Sequence, residues 1–281
     1  MMSGSTKTWT LLSSLSLIII LASHSWGGRQ GLLWGTVIAL CVNFLVYFYS
    51  DLRLENLFPG RSIEGQSPWG LLETAKFFAD KAHIPPPKVV VLETAAPQAL
   101  VMGRSWKSAT LILTEGLLKS LTKEEQDAVI AYQISCIKRL DTLAFSVACA
   151  WADVLFIISH LVDLVIRGII GPKKNPHSWQ NHLCSLMVAP LVSVLVRVVL
   201  GSKRYLANDS TAASWIKDPK ALAQALWKLE SYASTYSMKI PASTAPLFIV
   251  NPLTSYDWTR YVHIHSSVEK RIRNLIGYYP I

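Results

Sequence analysis

Residues 31–50 are 20 consecutive amino acids without a charged side chain. That run sets the first limit on the fold. As a helix rising 1.5 Å per residue it reaches about 30 Å, the thickness of a bilayer's hydrocarbon core. Three shorter or less pure apolar stretches accompany it, at 10–22, 142–170 and 183–200. Composition agrees, with 51% hydrophobic and 16% charged residues against about 25% charged in soluble proteins. The net charge of +9 suits basic loops beside anionic headgroups. No arginine-rich run, zinc-finger spacing or aromatic–basic interleaving points to nucleic acid.

The 10–22 stretch is short, only Lys7 precedes it, and the longer run follows Gly27-Gly28-Arg29. A transmembrane helical hairpin over residues 1–50 is the expectation, in preference to a cleaved signal. Stretch 142–170 contains Asp153, His160, Asp163 and Arg167 at near-heptad spacing, a polar stripe that must face protein or a wet cavity. Stretch 183–200 contains Pro190 and Arg197. A four-span topology with the amino terminus inside places 51–140 and 201–281 in the cytoplasm. Lys138, Arg139, Lys203 and Arg204 at the span ends agree with it; Arg167, Lys173 and Lys174 do not. Residues 142–200 therefore either span the bilayer or lie on it. The cysteines Cys41, Cys136, Cys149 and Cys184 have no paired spacing and read as reduced, packed thiols.

Between the apolar stretches lies a folded unit. Ser67-Pro68 predicts a helix start, and Leu71, Leu72, Ala75, Phe78, Ala79 and Ala82 keep helical spacing up to Pro85-Pro86-Pro87. Residues 88–92 are β-branched and read as a strand, as do 99–102 and 109–113. Thr122-Lys123-Glu124-Glu125 is a capping box. The helix it opens is expected to place Val129, Tyr132, Gln133, Cys136, Ile137 and Leu140 on one face. Asp218-Pro219 caps a later helix reaching Leu229, and the tail reads as globular. His263 and His265, and His177 and His182, read as surface or packing histidines.

Several blocks, in order, resemble the HtpX-type membrane zinc metallopeptidases, relatives of the CAAX prenyl endopeptidases. They are Gly27-Gly28-Arg29, Tyr47-Phe48-Tyr49-Ser50-Asp51, Pro85-Pro86-Pro87-Lys88-Val89-Val90 and Pro97-Gln98-Ala99-Leu100-Val101-Met102-Gly103-Arg104. Thr114-Glu115-Gly116-Leu117-Leu118, Asp141-Thr142-Leu143, Asp218-Pro219-Lys220-Ala221-Leu222, Asn251-Pro252-Leu253, His265 and Arg271-Ile272 continue the series. The resemblance implies an α+β zincin-like metallopeptidase domain, mostly helical with a small sheet. This domain covers 51–281 behind the hairpin and is interrupted by membrane-associated or spanning helices at 142–170 and 183–200.

The catalytic positions depart from the pattern. In such enzymes two histidines at i and i+4 hold zinc, and the glutamate between them is the base that activates a bound water. By register those positions are Tyr132, Gln133 and Cys136. The distant glutamate ligand falls on Tyr205, or on Arg204 after a one-residue shift, and the asparagine after the second histidine is Arg139. An amide cannot take a proton near neutral pH, and a phenol keeps its own up to about pH 10. One thiolate does not replace three ligands. No metal or other cofactor is therefore expected, although the family uses zinc.

The resulting expectation is a catalytically inactive membrane pseudopeptidase that binds or regulates polypeptides, with membrane protein quality control as the process the resemblance implies. Its implied partners are the bilayer and either an active peptidase relative or a polypeptide segment laid along Gln98, Ala99, Leu100, Val101 and Met102. The resemblance implies an integral protein of the bacterial cytoplasmic (inner) membrane, with the main domain facing the cytoplasm. The alternatives are a zinc-dependent metalloendopeptidase with a rearranged site and a purely structural membrane subunit.

Overall fold

The computed structural model describes residues 4–63, 65, 69–170, 201, 203–236, 238, 240–252 and 265–279. The chain begins with α1 (Gly4–Leu57), which is broken at Gly28, where φ is 51° and ψ −131°. Its two halves lie against each other: Asn43 Nδ2 donates to Ser16 Oγ, and Leu11, Leu12 and Val46 share one apolar cluster. A Cβ on Gly31 would run into the Ser23 carbonyl, so glycine permits the close return. Helix α1 continues past residue 50 to bury Leu54, with Phe58 just beyond it.

The strands are β1 (Arg61–Ser62), β2 (Lys88–Leu92), β3 (Ala99–Met102) and β4 (Thr110–Thr114). They form one sheet in the order β1-β2-β4-β3, with β2 and β4 parallel and the outer pairs antiparallel. Alternation along the strands divides two cores. Val89, Val91, Ala99, Val101, Leu111 and Leu113 face α2 (Leu71–Ala82) and α4 (Lys123–Lys138). Val90, Leu100, Met102 and Ile112 face Leu54, Phe58 and the start of α5 (Asp141–Ile170). Short α3 (Glu115–Ser120) leads into α4, and α6 (Lys203–Ala213), α7 (Pro219–Thr235) and α8 (Val268–Ile276) complete the first core.

The strands at 88–92 and 99–102 and the Thr122–Glu125 capping box stand as read. Several readings change. Leu140 (φ 54°) lies beyond α4 and its C-cap Arg139, and the helix capped by Asp218 runs to Thr235, past Leu229. Helix α2 starts at Leu71, not Ser67-Pro68, because Gly70 adopts the left-handed N-cap conformation (φ 61°); Ser67 and Pro68 lie outside the described residues. The last strand runs one residue later, Thr110–Thr114, in register with Lys88–Leu92. Helix α4 has no exposed face between Ala128 and Ile137. It is the central helix, packed by α2, α6, α7, β3 and α5 at once, and a helix apolar all round belongs in a core.

Helix α1 and the Asp141–Ile166 part of α5 are long and apolar enough to cross a membrane. Of the expected polar stripe on α5, Asp153 and Asp163 are buried, together with Ser159, whereas His160 is exposed. The 183–200 stretch, Arg197, Lys173, Lys174, His177, His182, Cys184 and His263 lie outside the described residues. Cys41, Cys136 and Cys149 are free thiols.

Candidate functional site

Four positions singled out in the sequence lie in the interior where α4, α6 and α8 cross. Tyr132 and Cys136, one helical turn apart, leave the same side of α4, and both are buried, as is Gln133. Helix α6 meets them with Arg204, Tyr205, Asn208 and Asp209, all buried. The spacing i, i+1, i+4, i+5 is the inward face of a short helix, continued by the buried Ala212.

Arg271 of α8 organises the cluster, and its pairing was not legible in the sequence. Its Nε and Nη2 donate to the two Asp209 carboxylate oxygens at 2.8 and 2.7 Å, a bidentate pair 1% and 0% exposed. Its Nη1 donates to the Ile249 carbonyl at 2.6 Å. The same guanidinium lies 4.8 Å from the Tyr132 ring centroid and 5.3 Å from that of Tyr205. The signal available beforehand was weak: Arg271 sat in one of the blocks named above, and Asp209 lies 62 residues before it.

Arg204 is held differently. It lies 3.8 Å over the Phe145 ring and 4.6 Å over Tyr205, and its Nη2 donates to the Tyr205 hydroxyl at 3.0 Å. Its Nε and Nη1 are buried without a hydrogen-bond partner, as is Gln133 Nε2. Asn208 Nδ2 donates to Cys136 Sγ at 3.3 Å and to Asp141 Oδ2 at 2.8 Å, tying α6 to the start of α5. His265 stacks on Tyr205 at 5.2 Å, and its Nε2 meets the Phe248 carbonyl at 3.2 Å. It is a packing histidine. Both Tyr205 and Arg204 reach this interior, so neither alignment register puts a carboxylate at the position of the distant ligand.

The electrostatics leave little to exchange protons. Burial pushes the Cys136 thiol well above its usual range, and Asp141 adds to that. Burial also raises both phenols, with Cys136 reinforcing the effect at Tyr132 and Arg204 opposing it at Tyr205. Burial takes His265 down to about 3, and Arg204 and Arg271 push the same way. Burial raises the Asp209 carboxyl while Arg271 opposes it; burial alone would lower Arg271, and Asp209 with Tyr132 and Tyr205 together outweigh that.

These residues do not fit zinc. Two protonated phenols and a protonated thiol face two guanidiniums, and a cation there would meet repulsion with no carboxylate to spare. Among the described residues no group of three His, Cys, Asp or Glu side chains is placed to hold a metal ion. The cluster is built to hold fixed charge.

The expected peptide-binding strand is also placed. Gln98, Ala99, Leu100, Val101 and Met102 are all buried, and β3 is the edge of the sheet. That edge is already partly paired. Leu100 bridges antiparallel to Phe248, and the Ile249 amide donates to the Ala99 carbonyl at 3.1 Å. An added strand meets the chain's own segment first, because Arg271 holds Ile249 from the other side.

The model of peptidase family M48 matches residues 71–278, from the first residue of α2 to just beyond α8. "Protease HtpX homolog" of Syntrophotalea carbinolica is 31% identical over 96% of this chain and 96% of its own length. The protein of that name from Pyrococcus furiosus is 30% identical over 96% and 94%, and that from Pelotomaculum thermopropionicum 28% over 96% and 97%. Among solved structures, Ste24p of S. mikatae aligns at a TM-score of 0.48 and 17% identity, covering 96% of this chain; the chain spans 64% of that protein. With one family model running through sheet, central helix and closing helices alike, the chain belongs to peptidase family M48.

Proposed function

We propose that this chain is a membrane-anchored pseudopeptidase: an M48 scaffold of the HtpX type that binds or regulates polypeptides without hydrolysing them. In this reading α1 is a transmembrane hairpin, and the zincin-like unit faces the cytoplasm in a bacterial inner membrane. The cluster of Tyr132, Gln133, Cys136 and Tyr205 replaces the metal ligands and base of active relatives. The observation that carries the reading is the burial of Tyr132, Gln133, Cys136 and Tyr205 at those positions, packed about the Asp209–Arg271 pair with no histidine or carboxylate among the four. Two phenols, an amide and a protonated thiol supply neither the ligand set nor the base that a hydrolytic zinc site needs.

Polypeptide engagement at β3 is proposed in amended form. Because Phe248 and Ile249 occupy part of the strand edge, an incoming segment adds beside Val101–Met102 or displaces the 248–249 contact. A partner relative or substrate class is recognised through this backbone edge and not through a cleavage pocket.

The test is paired. Purified full-length chain in lipid is assayed for cleavage of an unfolded membrane polypeptide, with and without a chelator. In parallel, a photocrosslinker at Met102 is used to trap polypeptides in membranes. The reading expects adducts without cleavage. Chelator-sensitive cleavage would overturn it, and neither adducts nor cleavage would favour a purely structural subunit.

A further inference from the structure

The loop joining β3 to β4, residues 103–108, is short, stiff and turned outward. Gly103 has φ 126°, and a Cβ there would press on the Ser108 carbonyl and the Ala109 backbone. Ser105 and Ser108 cap each other: the Ser108 amide donates to Ser105 Oγ at 3.3 Å, and the Ser105 amide to Ser108 Oγ at 3.1 Å. A single 3-10 turn between them presents Trp106, 44% exposed, and the exposed Lys107. The turn fixes where that ring sits, and its position decides what partner it can meet.

The loop's position identifies that partner. The Arg104 guanidinium carbon lies 5.5 Å from the Tyr47 ring centroid and 5.0 Å from that of Phe48. Those two aromatics close the apolar length of α1 that qualifies as a span, Gly4–Phe48. Phe44 stacks on Phe48 at 4.5 Å, and both are outward and exposed. An aromatic pair ending a long apolar helix marks the level where hydrocarbon gives way to headgroups. Arg104 therefore fixes its loop one arginine length from that level, and Trp106 is two residues away. The headgroup layers add only about 5–8 Å to each side of a 30 Å core, so Trp106 is within reach of them. An indole has an apolar body and one N–H donor, which suits that boundary. A lysine beside it meets phosphate.

We propose that residues 103–108 form a membrane-interface anchor, in which Trp106 inserts among phospholipid headgroups and Lys107 contacts their phosphates. This rests on the membrane placement of α1 proposed above. One consequence concerns the strand before the loop. The anchor holds the Met102 end of β3 at the bilayer surface, so a polypeptide added there is met as it leaves the membrane.

The test uses the full chain with Cys41 and Cys184 replaced by serine, since Cys136 and Cys149 are buried. A fluorophore is attached at one of three substitutions, Trp106→Cys, Trp227→Cys or Phe44→Cys. Trp227, comparably exposed at 47% on α7, is the aqueous control, and Phe44 reports the span. Lys107→Cys replaces the first variant if that one folds poorly. Each protein is reconstituted in phosphatidylcholine–phosphatidylglycerol vesicles and probed with aqueous iodide and with headgroup spin-labelled lipid. The expected result is loss of most iodide quenching at 106, with strong quenching by the headgroup label, while 227 shows the reverse. A position 106 open to iodide like 227, with 44 protected, overturns the anchor and leaves the membrane reading standing. A position 106 protected from iodide yet untouched by the lipid label overturns it in favour of a protein contact. A position 44 open to iodide removes the membrane reading and the anchor together.

Discussion

Replacing Arg271 with methionine should cost the folded chain about 3–5 kcal/mol, the range for removing one partner of a buried ion pair. The structure explains why the upper part of that range applies. The change removes three charge-assisted hydrogen bonds, two to Asp209 and one to the Ile249 carbonyl, at 2.6–2.8 Å. It also leaves Asp209, 0% exposed, with no counter-charge in contact. At about 2–4 °C per kcal/mol for a domain of this size, the loss reads as a Tm lower by about 6–20 °C. Thermal unfolding of the protein in lipid nanodiscs, followed by tryptophan fluorescence, measures it.

The pH dependence gives an independent check. Without Arg271, burial lifts the Asp209 carboxyl further above its ordinary value. The folded state then binds that proton more tightly than the unfolded state, so the variant gains stability as pH falls through the new folded pKa toward about 3.9. The gap to the parent narrows on acidification. Arg271→Met with Asp209→Leu should recover most of the loss, because apolar replacement of both partners is often neutral. A single variant within about 1 kcal/mol of the parent would refute the placement of this pair at the centre of the interior.

Arg204→Met should behave oppositely to Arg271→Met, leaving stability unchanged or raising it, because burial of Arg204 leaves Nε and Nη1 unsatisfied; equal losses for the two in the same melts would contradict that. The Cys136 thiol, buried and pushed to high pKa, should resist iodoacetamide at pH 8 in the folded chain and react once it is unfolded, as read by mass spectrometry. Rapid labelling of folded protein counts against the packing described. His265 is held neutral down to about 3, so between its usual value near 6.5 and that pH the unfolded state takes the proton first. It therefore contributes stability that is complete above the usual value and is lost as pH falls through the window. His265→Phe should flatten the fall in Tm over this range, and an unchanged slope would count against it.

Much of the frame was readable because it is local. The β-branched run at 88–92, the capping box at Thr122 and the proline stop after α2 are decided by neighbours in sequence, and all appear where expected. The burial of α4 on every side was in principle legible too, since Ala128, Val129, Ile130 and Ala131 leave no polar face. A one-sided helix pattern obscured it. What could not be read was non-local. Asp209 and Arg271 lie 62 residues apart, and neither residue's neighbours announce a partner. The Leu100–Phe248 bridge is a single pairing with no periodicity to betray it. The departures at Tyr132, Gln133, Cys136 and Tyr205 were plain in the sequence, but what fills the space between them was not. The filling is a guanidinium from the far end of the chain.

The central claim is that this interior, with Tyr132, Gln133, Cys136 and Tyr205 at the ligand and base positions, does not hold zinc. Its most direct test is the zinc content of the full-length chain, purified without chelator, incubated with excess zinc, desalted and measured by mass spectrometry against protein concentration. The account predicts far less than one zinc per chain, and a Tm that added zinc or chelator does not move. One tightly held zinc per chain, lost with chelator together with a fall in Tm, would contradict it.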